Sequence, residues 1–158
     1  MTGPPLSAAN IVMRNYLPSD ARHCSALLQP ACDNLGLTGR VRDVLKTRFA
    51  AHNMAGYTGL VATVGSDIIG VIGVYQGAPE AYIDLAATAN NKLGLLVGLV
   101  LAAEKKAVES GASSISVTAF PPQSSFYVGL GYRSMGVGLI ALGDYGVRAE
   151  GFRKVLSG

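Results

Sequence analysis

Between Ala81 and Phe120 the chain reads as strand, apolar helix, strand, and that unit constrains the fold more than any other stretch. Its last part, Ser113 to Phe120 (SSISVTAF), alternates cleanly. Ile115, Val117 and Ala119 fall on one face, and Ser114, Ser116 and Thr118 on the other, the period of a half-buried strand. The first part, Ala81 to Ala87 (AYIDLAA), is also a strand. Between them, Asn90-Asn91-Lys92-Leu93-Gly94 leads into a helix ending near Gly111. A strand that returns to its sheet through a helix is a crossover, so the sheet is mixed and the helix covers one of its faces.

The remaining segments surround this unit. Ile11 to Tyr16 (IVMRNY) is a short strand interrupted by Pro18-Ser19-Asp20, and Ser19 or Asp20 can cap a helix over about Ala21 to Asn34. Gly36 and Gly39 punctuate the next turn. A second helix, about Arg40 to Asn53, sets Val41, Val44, Leu45 and Phe49 on one face. Gly56 and Gly59 open a β region in which Leu60 to Val64, a Gly65-Ser66-Asp67 turn and Ile68 to Tyr75 form a hairpin. Beyond Pro121-Pro122 a short helix spans about Gln123 to Leu130, and Gly131 ends it as a C′ glycine commonly does. Tyr132 to Leu142 and Gly151 to Leu156 are the last strands. The order β-α-α-β-β-β-α-β-α-β-β predicts one α/β domain over residues 11–158, with a mostly antiparallel mixed sheet and helices on both faces. Residues 1–10 read as a loose tail.

Composition narrows the function classes. The 158 residues suffice for one domain with a full core, and 49% hydrophobic with only 15% charged residues excludes disorder over most of the chain. Net charge is +3 with the basic residues scattered, so there is no basic stripe for nucleic acid, while an anionic small ligand is mildly favoured. Cys24 and Cys32 sit on one predicted helix about 12 Å apart by helical rise, too far for a disulfide. Neither histidine completes a ligand-spaced cluster, so no metal is expected. The most apolar window, Leu93 to Ala103 (LGLLVGLVLAA), is far shorter than the roughly 20 residues of a membrane span. Met1 to Asn10 shows no signal-peptide pattern, and the expectation is a cytoplasmic protein.

Three stretches, taken with the element order, resemble the GNAT superfamily of acyl-CoA-dependent N-acyltransferases. Val12-Met13-Arg14 with Pro18-Ser19-Asp20 is similar to that family's opening strand and helix cap. The strand–loop–helix from Ala81 to Ala107 stands at the position of its acyl-CoA cradle. Phe126-Tyr127-Val128-Gly129-Leu130-Gly131-Tyr132 is similar to its Phe-Tyr-x-x-x-Gly-Phe signature. The resemblance covers about Ile11 to Leu156. It implies transfer of an acetyl or other short acyl group from CoA to a primary amine of a small molecule or peptide. Acetyl-CoA would be cosubstrate, no metal would be used, and a homodimer is one assembly open to such a chain.

The resemblance also places the site. Tyr127 matches the tyrosine that serves as general acid toward the CoA sulfur, a suitable task for a phenol of pKa near 10. The backbone of Leu85, Ala86, Ala87 and Thr88 matches the stretch that binds the acyl carbonyl and pantetheine amides, and small residues there permit close approach. Asn91, Lys92, Leu93, Gly94, Leu95 and Leu96 match the diphosphate loop, and a helix N-terminus suits an anion on physical grounds alone. The family's loop reads Gln/Arg-x-x-Gly-x-Gly/Ala. Gly94 meets the pattern, Asn91 supplies a hydrogen-bonding group without charge, and Leu96 puts bulk where a small residue is usual. A fold of this family that has lost productive acyl-CoA binding and acts as a non-catalytic binding or partner protein is the alternative those two residues raise.

Ser124, with Ser125, is placed to contact the pantetheine arm or to cap its helix. Many members of the family use a glutamate of this strand to take the amine proton. By resemblance that makes Asp84, the only carboxylate inside Ala81–Ala87 with Glu80 just before the strand, the candidate base; a surface or ion-paired Asp84, with a water relay or an already neutral amine, is the other reading. His23 and His52 read as surface or capping groups, and Met54 and Tyr57 as core or acceptor-pocket lining. Glu104, Lys105, Lys106 and Glu109 read as a solvated helix face, and Gly143 to Gly151 as an acceptor-side loop.

Overall fold

The structure is a computed structural model, and the residues it describes are 11–34, 57–89, 93–119, 123–142 and 145–156. The predicted helix over about 40–53, the tail 1–10, His52 and Met54 lie outside them. Strand β1 (Val12–Asn15) is followed by a 3-10 turn (Pro18–Asp20) and helix α1 (Ala21–Asn34). Strands β2 (Tyr57–Val64), β3 (Asp67–Tyr75) and β4 (Glu80–Thr88) follow, then α2 (Leu93–Glu109) and β5 (Ser114–Ala119). Helix α3 (Ser124–Gly129) and strands β6 (Arg133–Leu142) and β7 (Tyr145–Val155) complete the domain.

The strands form one seven-stranded sheet in the order β1-β2-β3-β4-β5-β7-β6. Every neighbouring pair is antiparallel except β4 and β5, the two strands joined by the α2 crossover. Helix α2 lies on one face. Its Leu95, Leu96, Leu99, Val100, Ala103 and Ala107 join Leu60, Ile72, Val74, Ile83, Ile115 and Val117 in the main core. A Cβ on Gly70 would stand 2.9 Å from Leu99 Cδ1, so the absence of a side chain on β3 is what lets the helix settle this close. Burying a leucine such as Leu99 contributes about 1.5–3 kcal/mol. The opposite face takes α1, with Cys24, Val61 and Val71 buried outside the α2-side cluster. Burial pushes the Cys24 thiol up to about 12, so it stays protonated.

Two expectations are corrected. Gly143 and Asp144 lie outside the described residues, and the rest of the expected loop is strand: β7 begins at Tyr145 and every residue from there to Gly151 pairs with β6. Its glycines and charges imitate a loop because this hairpin ends the sheet among the described residues and β6 is exposed from Arg133 to Leu139, which frees the pair from apolar alternation. Nor does Ser19 or Asp20 cap α1 as expected. The Asp20 carboxylate turns back to accept the Leu17 N–H at 2.7 Å and both Arg14 nitrogens at 2.7 and 3.0 Å, fastening β1 to the start of the helical run. The Arg14 guanidinium holds the Asp20 carboxyl below its ordinary value.

Candidate active site

The sheet opens in its middle. Strands β4 and β5 pair only from Glu80↔Ser114 to Ile83↔Val117. Past that point β5 keeps only β7 as partner among the described residues, Thr118 opposite Gly151 and Ala119 opposite Glu150. Asp84 marks the parting. On the β3 side Ile83 faces Val74 and Leu85 faces Gly73, so Asp84 is the extra residue of a bulge. A bulge bends its strand and steepens the twist. From there Leu85, Ala86, Ala87 and Thr88 stay paired with β3 on one edge and leave their other edge facing the gap. Tyr82 reaches across the join, its hydroxyl donating to Thr118 Oγ1 at 3.0 Å.

Because β4 and β5 are parallel, their C-terminal ends leave the sheet on the same side. β4 leads to the N-terminus of α2 and β5 to α3, so both helices flank the parting, where a crossover sheet offers its natural binding crevice. The first turn of α2 carries no acidic residue to oppose the positive end of its dipole. Gly94 is exposed, and a Cβ added to it would meet nothing within 4 Å, so it is not a packing point but open backbone. Leu96 turns the other way and is 4% exposed within the core. Its bulk, raised by the sequence as an obstruction, is spent under the helix rather than in front of it. Asn91 and Lys92 lie outside the described residues, and Leu93 is the first residue of α2.

On the other flank, α3 presents Tyr127, 2% exposed. The ring stacks on Phe152 at 6.0 Å and meets Phe126 and Tyr132 edge to face at 5.0 and 5.5 Å. Burial raises its phenol to about 12, so it holds its proton at neutral pH. The helix closes in a Schellman motif, with Gly131 at φ +92°, Gly131 N–H donating to the Val128 carbonyl and Tyr132 N–H to the Tyr127 carbonyl. Ser124 is the first residue of α3.

Glu104 corrects the expectation of a solvated face. It is 9% exposed and accepts the Tyr132 hydroxyl at 2.9 Å and Lys154 Nζ at 3.0 Å, while Lys105 and Glu109 are exposed as expected. Desolvation and the adjacent Glu104 carboxylate push the Tyr132 phenol well up. The signal was present in the spacing: Leu96, Val100 and Glu104 stand at i, i+4 and i+8, one buried face of α2. The Tyr82–Thr118 contact has no such signal, since neither residue departs from ordinary strand usage.

Asp84 is half-buried at the bulge, whereas Glu80 begins β4 and ion-pairs with Arg153 at 3.5 Å. Tyr57 packs edge to face on Tyr75, and its hydroxyl occupies the place a Cβ would take on Gly73. His23 is exposed on α1. Among the described residues no group of three or more His, Cys, Asp or Glu is gathered, and no helix is long and apolar enough to cross a membrane.

No protein-family model and no curated protein sequence matches the chain. Solved structures match it closely in shape. A GCN5-related N-acetyltransferase from Rhodopseudomonas palustris superposes with a TM-score of 0.76 at 20% identity, over 97% of this chain and 100% of the other. Ard1 from Thermoplasma volcanium gives 0.73 at 17% identity, over 94% and 99%. An aminoglycoside 6'-N-acetyltransferase complexed with coenzyme A gives 0.71 at 14% identity, over 91% and 96%. At these identities the likeness is one of architecture, and the architecture is specific: the chain has the fold of the GCN5-related N-acetyltransferases.

Proposed function

We propose that this protein transfers an acetyl or other short acyl group from CoA to a primary amine of a small molecule or peptide. The observation that carries the reading is the bulged parting of β4 from β5, with a helix N-terminus whose Gly94 meets nothing within 4 Å among the described residues on one side and a buried phenol on the other. The residues fit acetyl-CoA: the open backbone at Gly94 and the core-facing Leu96 leave the start of α2 clear for a diphosphate. That clearance weighs against a non-catalytic module, whose case rests partly on Leu96. Acetyl-CoA supplies the acyl group in activated form, as a thioester.

The backbone of 85–88 receives the pantetheine amides and the acyl carbonyl along the free edge of β4, as an added strand would be received. N–H groups there polarise the carbonyl for attack by a neutral amine. The C–N bond forms as the C–S bond breaks, and one proton must travel from nitrogen toward sulfur. Asp84, at the head of the gap, is the candidate to take that proton, directly or through water. Tyr127 is the residue that would meet the departing sulfur. Against a thiol of pKa roughly 8.5, full proton transfer from a phenol near 12 is uphill by roughly 5 kcal/mol, so Tyr127 acts chiefly as a hydrogen-bond donor to the departing thiolate.

Calorimetry with acetyl-CoA, followed by a thiol-release screen over small-molecule and peptide amines, tests the reading. Micromolar binding and amine-dependent thiol release are expected. Absence of binding at millimolar acetyl-CoA would leave the scaffold without this function.

A further inference from the structure

Tyr127 has no polar side-chain tether of its own among the described residues; its ring is held by packing in the main core, where Phe126, Tyr132 and Phe152 are its aromatic neighbours. The neighbour it meets edge to face, Tyr132, is by contrast tightly held. Its hydroxyl donates to Glu104 Oε2 at 2.9 Å, and Glu104 Oε1 accepts from Lys154 Nζ at 3.0 Å. The ammonium in turn stands 5.6 Å from the centre of the Tyr132 ring, closing a three-residue loop. Glu104 belongs to α2 and Lys154 to β7, which also supplies Phe152, the ring stacked on Tyr127. A carboxylate this buried needs its partners, since removing one leaves an uncompensated charge. A position three turns into the helix is otherwise better filled by a leucine, as the i, i+4, i+8 spacing with Leu96 and Val100 shows.

We propose that Glu104 is a positioning residue for acyl transfer. Through its hydrogen bond it fixes the Tyr132 ring against which Tyr127 packs, and so ties the phenol to the helix whose first turn faces the diphosphate. The inference deepens the acyltransferase reading and rests on it for its kinetic consequence. The geometric claim, that Glu104 sets the Tyr127 ring, stands apart from any activity. Both ends of one extended acyl donor are then referenced to a single rigid element, which matters because a 1 Å misplacement at the reacting atoms costs about a hundredfold in rate.

Two measurements test it. In protein labelled with 3-fluorotyrosine, with the Tyr127 signal assigned by its loss in Tyr127→Phe, wild type is expected to show one sharp Tyr127 line. Tyr132→Phe, which keeps the ring and deletes the tether, should broaden or split that line, and Glu104→Leu should do the same. Glu104→Gln retains an acceptor for the Tyr132 hydroxyl and should restore most of the sharpness. An unchanged Tyr127 line in both Tyr132→Phe and Glu104→Leu would overturn the proposal, whether or not the protein is active. In steady-state assays Tyr132→Phe should lower kcat about tenfold or more, toward the roughly hundredfold limit of misplacement, with the acetyl-CoA KM within about twofold. In a Tyr127→Phe background the same change should have almost no further effect. Additive losses would overturn a role acting through Tyr127. A disturbed Tyr127 line in a protein without any transferase activity would instead refute the acyltransferase reading and leave the geometric claim intact.

Discussion

The Tyr132 N–H donates to the Tyr127 carbonyl at 3.1 Å while the two rings meet edge to face at 5.5 Å, so the stop that ends α3 also brings the two rings together. The pair occupies the C3 and C″ positions of the Schellman motif, where an apolar contact usually accompanies the hydrogen bonds. Gly131 between them lies at φ +92°, a conformation other residues adopt only with strain. The Phe-Tyr-x-x-x-Gly-aromatic spacing is therefore a structural device first, with its first tyrosine free to serve chemistry.

For Tyr127→Phe the size of the effect reports the role. A hydrogen bond to a charged group contributes about 1.5–3 kcal/mol, so loss of the donor should lower kcat by about 10- to 100-fold with little change in acetyl-CoA affinity. Pre-steady-state thiol release measures this directly. Equal rates for mutant and wild type would remove Tyr127 from the reaction, and a loss far beyond the expected range would mean that the proton itself is transferred from the phenol.

Gly94→Ala separates binding from folding. The added Cβ meets open space, and alanine is favoured over glycine in a helix by up to about 1 kcal/mol, so Tm should hold or rise slightly. If the diphosphate approaches this backbone, acetyl-CoA should bind at least several-fold more weakly in calorimetry. Unchanged affinity would move the diphosphate elsewhere on the protein.

Asp20 gives a pH signature. Its carboxyl is held below the unfolded value by Arg14, so its contribution to stability is complete above about pH 4 and is lost as pH falls through the lower folded value. Asp20→Asn should therefore melt below wild type at pH 7, and the two curves should converge once the pH has fallen below the lowered folded value of the carboxyl. A difference in Tm that persists undiminished there would assign the stabilisation to packing rather than charge.

The parts of the fold that bury an apolar stripe were legible. Ile115, Val117 and Ala119 announced β5, and the LGLLVGLVLAA run announced α2, because burial on one or both sides leaves a period in the sequence. Where burial is absent the period fails. β7 from Tyr145 to Gly151 pairs with an exposed strand and reads as a loop, and Asp20 spends its carboxylate on Leu17 and Arg14, a local competition that composition does not reveal. Of the candidate site, motif and element order singled out Tyr127 and the 85–88 backbone. The fate of Leu96 could not be read this way, since the phase in which α2 packs on the sheet decides whether its side chain meets ligand or core.

The sheet's end strand makes the last prediction. Among the described residues β6 pairs with β7 alone, and Met135, Val137 and Leu139 are exposed along it, Leu139 at 77%. No charged residue stands between Ser134 and Leu142, so the edge lacks the lysines or prolines that usually prevent strands from joining. Its one irregularity is the bulge at Ser134/Gly136, near the N-terminal end of the strand, and the rest of β6 runs on in regular register to Leu142. Such an edge should associate as concentration rises, and a homodimer formed edge to edge would satisfy its open N–H and C=O groups. Sedimentation velocity over a hundredfold concentration range should show wild type moving toward larger species, and Leu139→Lys should shift that transition upward without lowering Tm. A wild type that sediments as a monomer throughout, or a lysine variant that behaves identically, would show that this strand is protected by something other than a second chain.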